Sequence, residues 1–560
     1  LAPFYQPSLL EDKVIITKVV NLYRKLVKPS DENEAPQATT PATISEASKV
    51  PDSPSNGSDD QQTAIEKSRQ QCKDIPNAIA RDHHNISRKK LSKNALKVLY
   101  RLQDEGYEAY LVGGCIRDIL MGLTPKDFDV ATNATPEQIK ACFKNCRLIG
   151  RRFRLAHIVF GRELIEVATF RGHHQQTDNP ATGGKKQLSA QSDEGQLLRD
   201  NVYGSIEEDA QRRDFTINAL YYSVNGFYIR DFAGGIDAIK AKRIELIGDP
   251  QARYREDPVR MLRAIRFATK LNMTIEEKTE APIYELGNLL SNIPPARLFE
   301  ESMKLTLAGK ALDNYMMMRK YDLFRHMFPV PYEVLDEDPD SKQEQLIRQV
   351  FINTDKRINA NKGVTPAYIH AALLWYVVEK ETQMQIETNG LSAYDASYVA
   401  MTEVLSRHCR AISLPKRFST VSRDIWQLQH RLDRRMGKRA FKLMEHPKFR
   451  AGYDFLLLRG DIEGGKIAEL AHWWTQFQDA DDAGKQQMAN DLNGSSNRGS
   501  STGKYRNKNT TDDPNRNTSN NTNERRRGPR KNNRNRRKAS NTATSNTTNS
   551  TATPPSESGQ

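Results

Sequence analysis

Asp127 and Asp129 stand two apart, with Phe128 between them. On a β-strand that spacing turns both carboxylates to one face and the phenyl ring to the other. A little upstream, Gly113-Gly114-Cys115-Ile116-Arg117-Asp118 follows an apolar run. Two glycines between a strand and a helix let backbone N–H groups approach an anion at the helix N-terminus. Arg117, one turn further in, is placed to reach a triphosphate. Paired carboxylates beside an anion cradle suit Mg²⁺ whose shell nucleotide phosphates complete. Two such ions, ~3.5–4 Å apart, activate an attacking hydroxyl and stabilise a departing pyrophosphate. A lone Asp-x-Asp is more often a solvated strand end; beside the glycine turn it points to nucleotidyl chemistry.

A third acid is expected, and two residues compete for it. Glu166, in Ile165-Glu166-Val167-Ala168-Thr169-Phe170-Arg171, alternates with apolar neighbours and faces either a site or a solvated sheet surface. Asp214, in Arg212-Arg213-Asp214-Phe215-Thr216-Ile217-Asn218, sits where Phe215 and Ile217 turn inward and Arg213, Asp214 and Asn218 gather on one side. Further on, Asp257, Arg260 and Arg263 recur at i, i+3 and i+6 on one predicted helix face, with Val259, Leu262 and Ile265 on the other. Such an Asp–Arg set reads the edge of a nucleobase; standing alone, it would be an exposed ion-paired helix.

The elements that must position these groups follow from the patterning. Helices are expected at Asn94–Asp104, Ile116–Met121, Thr135–Phe143 and Ile206–Ser223, and strands at Tyr107–Val112, Phe128–Ala131, Leu155–Phe160, Leu164–Phe170 and Phe227–Asp231. Residues 172–200 read as a mobile loop. From about 250 onward the pattern is helical, beginning at Asp257-Pro258. The fold class is therefore α+β: a small mixed-sheet head, then an all-helical neck and body. Expected boundaries are 1–28, a basic amphipathic segment; 29–82, a disordered linker; 83–235, the catalytic head; 236–309, a base-reading neck; 310–478, an RNA-binding body; and 479–560, a disordered basic tail.

Charge narrows the partners. The net charge is +14, and residues 501–560 carry 13 Lys and Arg against 4 Asp and Glu, while 411–450 carry 11 against 3. Concentrated basic charge suits a polyanion. Residues 411–450 interleave these cations with Phe418, Trp426, Phe441 and Phe449, as a groove for single-stranded RNA would. In the tail, Arg525, Arg526, Arg527, Arg536 and Arg537 are expected to add salt-sensitive RNA affinity. Residues 14–28 form a basic amphipathic stretch that docks a partner or makes weak peripheral membrane contact. No apolar stretch approaches a bilayer span. Five scattered cysteines without paired zinc spacing fit the reducing cytoplasm. The pairs His83-His84 and His173-His174 read as surface histidines.

The ordered set Gly-Gly-x-x-Arg-Asp, Asp-x-Asp, Glu-Val-Ala-Thr-Phe-Arg, Arg-Arg-Asp-Phe-Thr-Ile-Asn-Ala and Glu-Asp-Pro-Val-Arg-Met-Leu-Arg-Ala-Ile-Arg-Phe resembles the class II nucleotidyltransferases of the polymerase β superfamily. These include bacterial poly(A) polymerases and CCA-adding enzymes. Arg151-Arg152-Phe153-Arg154, Pro294-Pro295-Ala296-Arg297-Leu298-Phe299-Glu300-Glu301 and Glu445-His446-Pro447-Lys448-Phe449-Arg450 resemble the poly(A) branch, over roughly 80–475. The resemblance implies ATP as substrate, Mg²⁺ or Mn²⁺ on Asp127 and Asp129, and Asp127, Asp129 and Asp214 as the acidic set. Gly113, Gly114, Arg117, Glu166, Arg171, Arg213 and Asn218 would bind ribose or triphosphate, and Asp257, Arg260 and Arg263 the base. It further implies single-stranded RNA 3′ ends and RNA-decay proteins as partners. A CCA-adding activity on tRNA and a non-catalytic RNA-binding scaffold are the alternatives.

Overall fold

The computed structural model describes residues 72–150, 154–172, 202–335 and 338–497, with 66, 69 and 70 and the backbone of 189–191 and 197–200. The amphipathic stretch 14–28, the pair His173-His174 and the tail arginines Arg525, Arg526, Arg527, Arg536 and Arg537 lie outside the described residues.

The head is built on a mixed sheet of eight strands among the described residues. Their order is Ala78–Ile79, Ile229–Asp231, Leu220–Tyr222, Ala109–Val112, Asp129–Thr132, Glu163–Thr169, Leu155–Phe160 and Cys146–Ile149. Asp129–Thr132 and Glu163–Thr169 run parallel; the other neighbours are antiparallel. Ala109–Val112 is buried throughout, as a central strand must be. The helix Pro136–Cys142 starts as its sequence dictates, with Thr135 and Gln138 forming a capping box and Pro136 in the first turn.

The expected long helix 206–223 is instead three elements. A helix spans Ile206–Arg212, a single 3-10 turn spans Thr216–Asn218, and a strand spans Leu220–Tyr222. Arg213 is already extended, and Phe215 bridges to Leu246. The aromatic and β-branched residues from Phe215 to Tyr222 favour the sheet, where Tyr221 enters an aromatic cluster with Tyr110 and Phe170 while Leu220 and Tyr222 enter the main head core. The expected loop 172–200 contains the antiparallel strands Ser189–Gln191 and Leu197–Asp200. Part of the expected linker is ordered too, because Ala78–Ile79 pairs with Ile229 and Arg230 at the sheet edge. His84 is no surface histidine: its Nε2 lies 2.9 Å from the Phe227 carbonyl oxygen and its ring packs on Tyr222.

The neck also departs from one continuous helix face. Helix Pro250–Glu256 ends before Asp257, and a second helix spans Val259–Leu271. Pro258 disfavours helical geometry at the residue before it, and Asp257 is extended. Asp257 therefore stands in a break, off the helix that carries Arg260 and Arg263. One apolar core runs from Phe215 through neck and body to Leu458. A second, around Trp474 and Phe477, reaches Ala489 on helix Asp482–Asn497, so helix continues past the expected tail boundary. No helix among the described residues is long and apolar enough to cross a membrane.

Candidate active site

Asp129 and Glu166 are register partners on the parallel strand pair, so their side chains leave the same face of the sheet. Both line a cavity of about 250 Å³, which Arg171, Asp209, Arg212 and Arg213 also line. Asp127 precedes the strand and is exposed, while Phe128 is buried. His157 Nε2 lies 3.2 Å from Glu166 Oε1. Carboxylates and guanidiniums lining one cavity are the groups that a metal-chelated polyphosphate requires.

Gly113 turns the chain out of strand Ala109–Val112 with φ 72° and ψ −132°, a conformation that side chains rarely adopt. A Cβ there would lie 3.6 Å from Arg213 Nη1. The Gly113 amide donates to the Leu220 carbonyl at 3.3 Å, so it serves the sheet. Gly114 begins the helix Gly114–Leu120. Arg117, expected at a triphosphate, is instead buried at 3% exposure and does not line the cavity. Its Nε and Nη2 donate to Asp118 at 2.9 and 2.6 Å, and its Nη1 donates to Asn218 Oδ1 at 2.5 Å.

Asn218 passes this chain onward, its Nδ2 donating to Asp214 Oδ1 at 3.2 Å. Asp214 also accepts from the Phe215 amide at 2.8 Å and from Arg263 Nε at 2.7 Å. Burial alone would raise the Asp214 carboxyl, but Arg263, the Phe215 amide and Asn218 hold it down at about 2. Asp214 thus does not line the cavity shared by Asp129 and Glu166. It belongs to a polar chain that ties head to neck.

The three base-reading candidates face different partners. Asp257 accepts from Arg297 Nη2 at 2.7 Å; Arg260 Nη1 donates to the Arg253 carbonyl at 2.6 Å and to Glu256 at 2.9 Å; Arg263 holds Asp214. Several residues that organise the region were not singled out by sequence. Arg253 Nη2 donates to the carbonyl oxygens of Arg212 and Arg213, both at 2.8 Å. Asp209 and Tyr221 hold the Arg213 side chain. The i, i+4 spacing of Asp209 and Arg213 is a legible signal; nothing local marks Tyr221 or Arg253, and Arg297 stands only within the block 294–301 that carries the resemblance.

No group of three or more His, Cys, Asp or Glu side chains among the described residues could hold an ion by itself. Asp129 and Glu166, oxygen donors that line one cavity, are of the type that fits a hard cation keeping waters and substrate phosphates in its shell.

The basic body surface differs from its expectation in one respect. Phe418, Trp426 and Phe449 are buried, so they cannot stack on bases, whereas Lys416, Arg417, Lys438, Arg439, Lys442 and Arg450 are exposed.

Three family models match the chain: the poly A polymerase head domain over 109–245, the probable RNA and SrmB-binding site of polymerase A over 272–333, and the polymerase A arginine-rich C-terminus over 389–539. Poly(A) polymerase I of Salmonella typhimurium is 54% identical over 74% of this chain and 88% of its own length. Poly(A) polymerase I of Haemophilus influenzae is 49% identical, over 75% of this chain and 92% of its own. The CCA-adding enzyme of Lactobacillus helveticus is 36% identical, over 38% of this chain and 49% of its own.

Proposed function

The chain belongs to the poly(A) polymerase I family, and we propose that it extends RNA 3′ ends with AMP from ATP, without a template. The observation that carries this reading is identity of 54% extending over 74% of the chain, head, neck and body included. The sequence likeness to the CCA-adding enzyme of Lactobacillus helveticus covers only 38%.

In the proposed reaction the RNA 3′ oxygen bonds to the α-phosphorus of ATP as the bond to the bridging oxygen breaks, and pyrophosphate leaves. Asp127 and Asp129 would hold Mg²⁺ or Mn²⁺. Bound there, a divalent ion supplies positive charge to the attacking hydroxyl and to the leaving pyrophosphate. For the third acidic place Glu166 is preferred to Asp214, because Glu166 shares the cavity with Asp129 while Arg263 occupies Asp214. Arg171, Arg212 and Arg213, which line the same cavity, would counter the triphosphate. Arg117 and Asn218 act beneath it, through the hydrogen bond that joins them.

With no nucleic-acid template, side chains must choose the base. Asp257 and Arg260, on either side of the Pro258 break, are proposed to do so. A site built for adenine leaves buried polar groups unpaired against other bases. The exposed cations of 411–450 and the tail arginines would grip the RNA strand through its phosphates. By family likeness, residues 272–333 would serve RNA and an SrmB-like partner in RNA decay. Function in the cytoplasm belongs to the same proposal.

The test is incubation of the purified chain with Mg²⁺, an oligo(A) primer and each nucleoside triphosphate separately. Long ladders with ATP alone are expected. Addition of one or two C with CTP alone, without a long ladder with ATP, would overturn the reading.

A further inference from the structure

Asp209 is a carboxylate at 8% exposure on helix Ile206–Arg212, and it accepts from two residues of the cavity lining, Arg171 and Arg213, and from Tyr221. Its Oδ1 accepts from the Arg171 amide at 3.1 Å. Its Oδ2 accepts from Tyr221 Oη at 2.6 Å, Arg213 Nη2 at 3.1 Å and Arg213 Nε at 3.2 Å. Arg213 Nε also lies 2.8 Å from Tyr221 Oη. Two of the three guanidinium nitrogens are therefore fixed by one carboxylate and one phenol. The third, Nη1, is the atom that a Cβ on Gly113 would meet at 3.6 Å, and no described residue accepts from it.

The phenol is itself immobilised. Tyr221 is fully buried, and its ring meets Tyr110 edge-on at 6.3 Å and Phe232 at 6.0 Å. The Arg213 guanidinium carbon stands 5.0 Å from the centre of the same ring. Behind it, Arg253 Nη2 pins the Arg213 carbonyl at 2.8 Å. An arginine held at its backbone, its Nε and one terminal nitrogen has little rotamer freedom left to lose on binding.

We propose that Asp209 and Tyr221 are positioning residues for Arg213, holding its Nη1 at the Gly113 turn so that it engages the polyphosphate of the incoming nucleotide. This rests on the nucleotidyltransferase reading of the cavity. Neither residue need touch substrate. Their effect is to deliver Nη1 already oriented to donate to phosphate oxygens, in the cavity that Asp129 and Glu166 also line. The Oδ2 charge of Asp209 also keeps Arg213 balanced in the empty cavity, so that the buried cation does not stand uncompensated before nucleotide arrives.

The test compares full-length wild type, Asp209→Asn, Tyr221→Phe, Arg213→Lys and the double variant Asp209→Asn/Arg213→Lys. Steady-state AMP addition to oligo(A) is measured, with equilibrium binding of ATP in parallel. Asp209→Asn is expected to raise KM and Kd for ATP by about tenfold, with kcat and the KM for RNA changed by less than about threefold. The double variant should bind ATP no more weakly than Arg213→Lys alone, since both remove one device. Tyr221→Phe, which loses only a hydroxyl, should raise the ATP Kd by a few-fold and serves where Asp209→Asn melts early. Unchanged ATP affinity in Tyr221→Phe, or additive losses in the double variant, would overturn the proposal. Because binding is read apart from turnover, wild-type chain that binds ATP but transfers no AMP would refute the polymerase reading and leave this comparison decisive.

Discussion

Arg263 in the neck and Asp214 in the head are joined by a charge-assisted hydrogen bond, Nε to Oδ2 at 2.7 Å. The pair is half-sheltered from water, with side-chain exposures of 31% and 13%. Through Asn218 and Arg117 it continues into the helix that follows the glycine turn. The contact therefore fixes how the neck sits against the head.

Removing one partner strands the other. Asp214→Asn should lower unfolding free energy by about 3 kcal/mol, the scale of leaving a partly buried charge without its counter-ion. Chemical denaturation checks it. Asp214→Asn/Arg263→Met should recover part of that loss, because neither charge is then left alone.

The same pair predicts a pH signature. The Asp214 carboxyl is held at about 2, below the usual carboxylate range, so the folded state favours its ionised form. That stabilisation is fully present above the unfolded value near 4 and is lost as pH falls through about 2. The stability gap between wild type and Asp214→Asn should hence shrink steadily as pH drops from about 4 to about 2. A gap independent of pH across that window would show that Arg263 does not hold the carboxylate.

Base choice should be separable from catalysis. Arg260→Ala is expected to erode the preference for ATP over CTP by about 1–3 kcal/mol, the worth of a good bidentate base contact. Arg297→Met should act in the same direction, since Arg297 Nη2 orients Asp257 at 2.7 Å. The measurement is the ratio of kcat/KM for the two nucleotides on one primer.

Much of the head was legible because its signals are local. Leu155–Phe160 alternates and was delimited to the residue, and the Thr135 capping box marked its helix. The segment 206–223 was not legible as three elements. Its helix start is strong, with Ser205 and Glu208 capping, but its end is set by tertiary pairing of Phe215 with Leu246 and of Leu220–Tyr222 within the sheet. The same limit applied to the acids. Asp214 and Glu166 look alike as motif carboxylates, and only the strand register and the arrival of Arg263 from 49 residues away tell them apart. The i, i+3, i+6 spacing puts Asp257 on a helix face, but the Pro258 beside it carries the contrary signal, and Asp257 is extended. Helix Asp482–Asn497 escaped notice because it is polar along most of its length and buries Ala489.

Deleting residues 501–560, with their 13 basic side chains against 4 acidic ones, should weaken RNA binding and flatten its dependence on salt. Preference for ATP should not move, since the residues proposed to read the base lie outside 501–560. Binding titrations at several salt concentrations, alongside nucleotide selectivity, check both halves.

The reading of the cavity as the place of AMP transfer is tested most directly by single-turnover extension of an oligo(A) primer by Asp129→Asn, at saturating ATP and Mg²⁺, beside wild type. The transfer rate should fall by about two to three orders of magnitude, the cost of removing one preorganised charge from a transition state, while ATP and RNA affinities stay within a few-fold. Transfer by Asp129→Asn at the wild-type rate would contradict it.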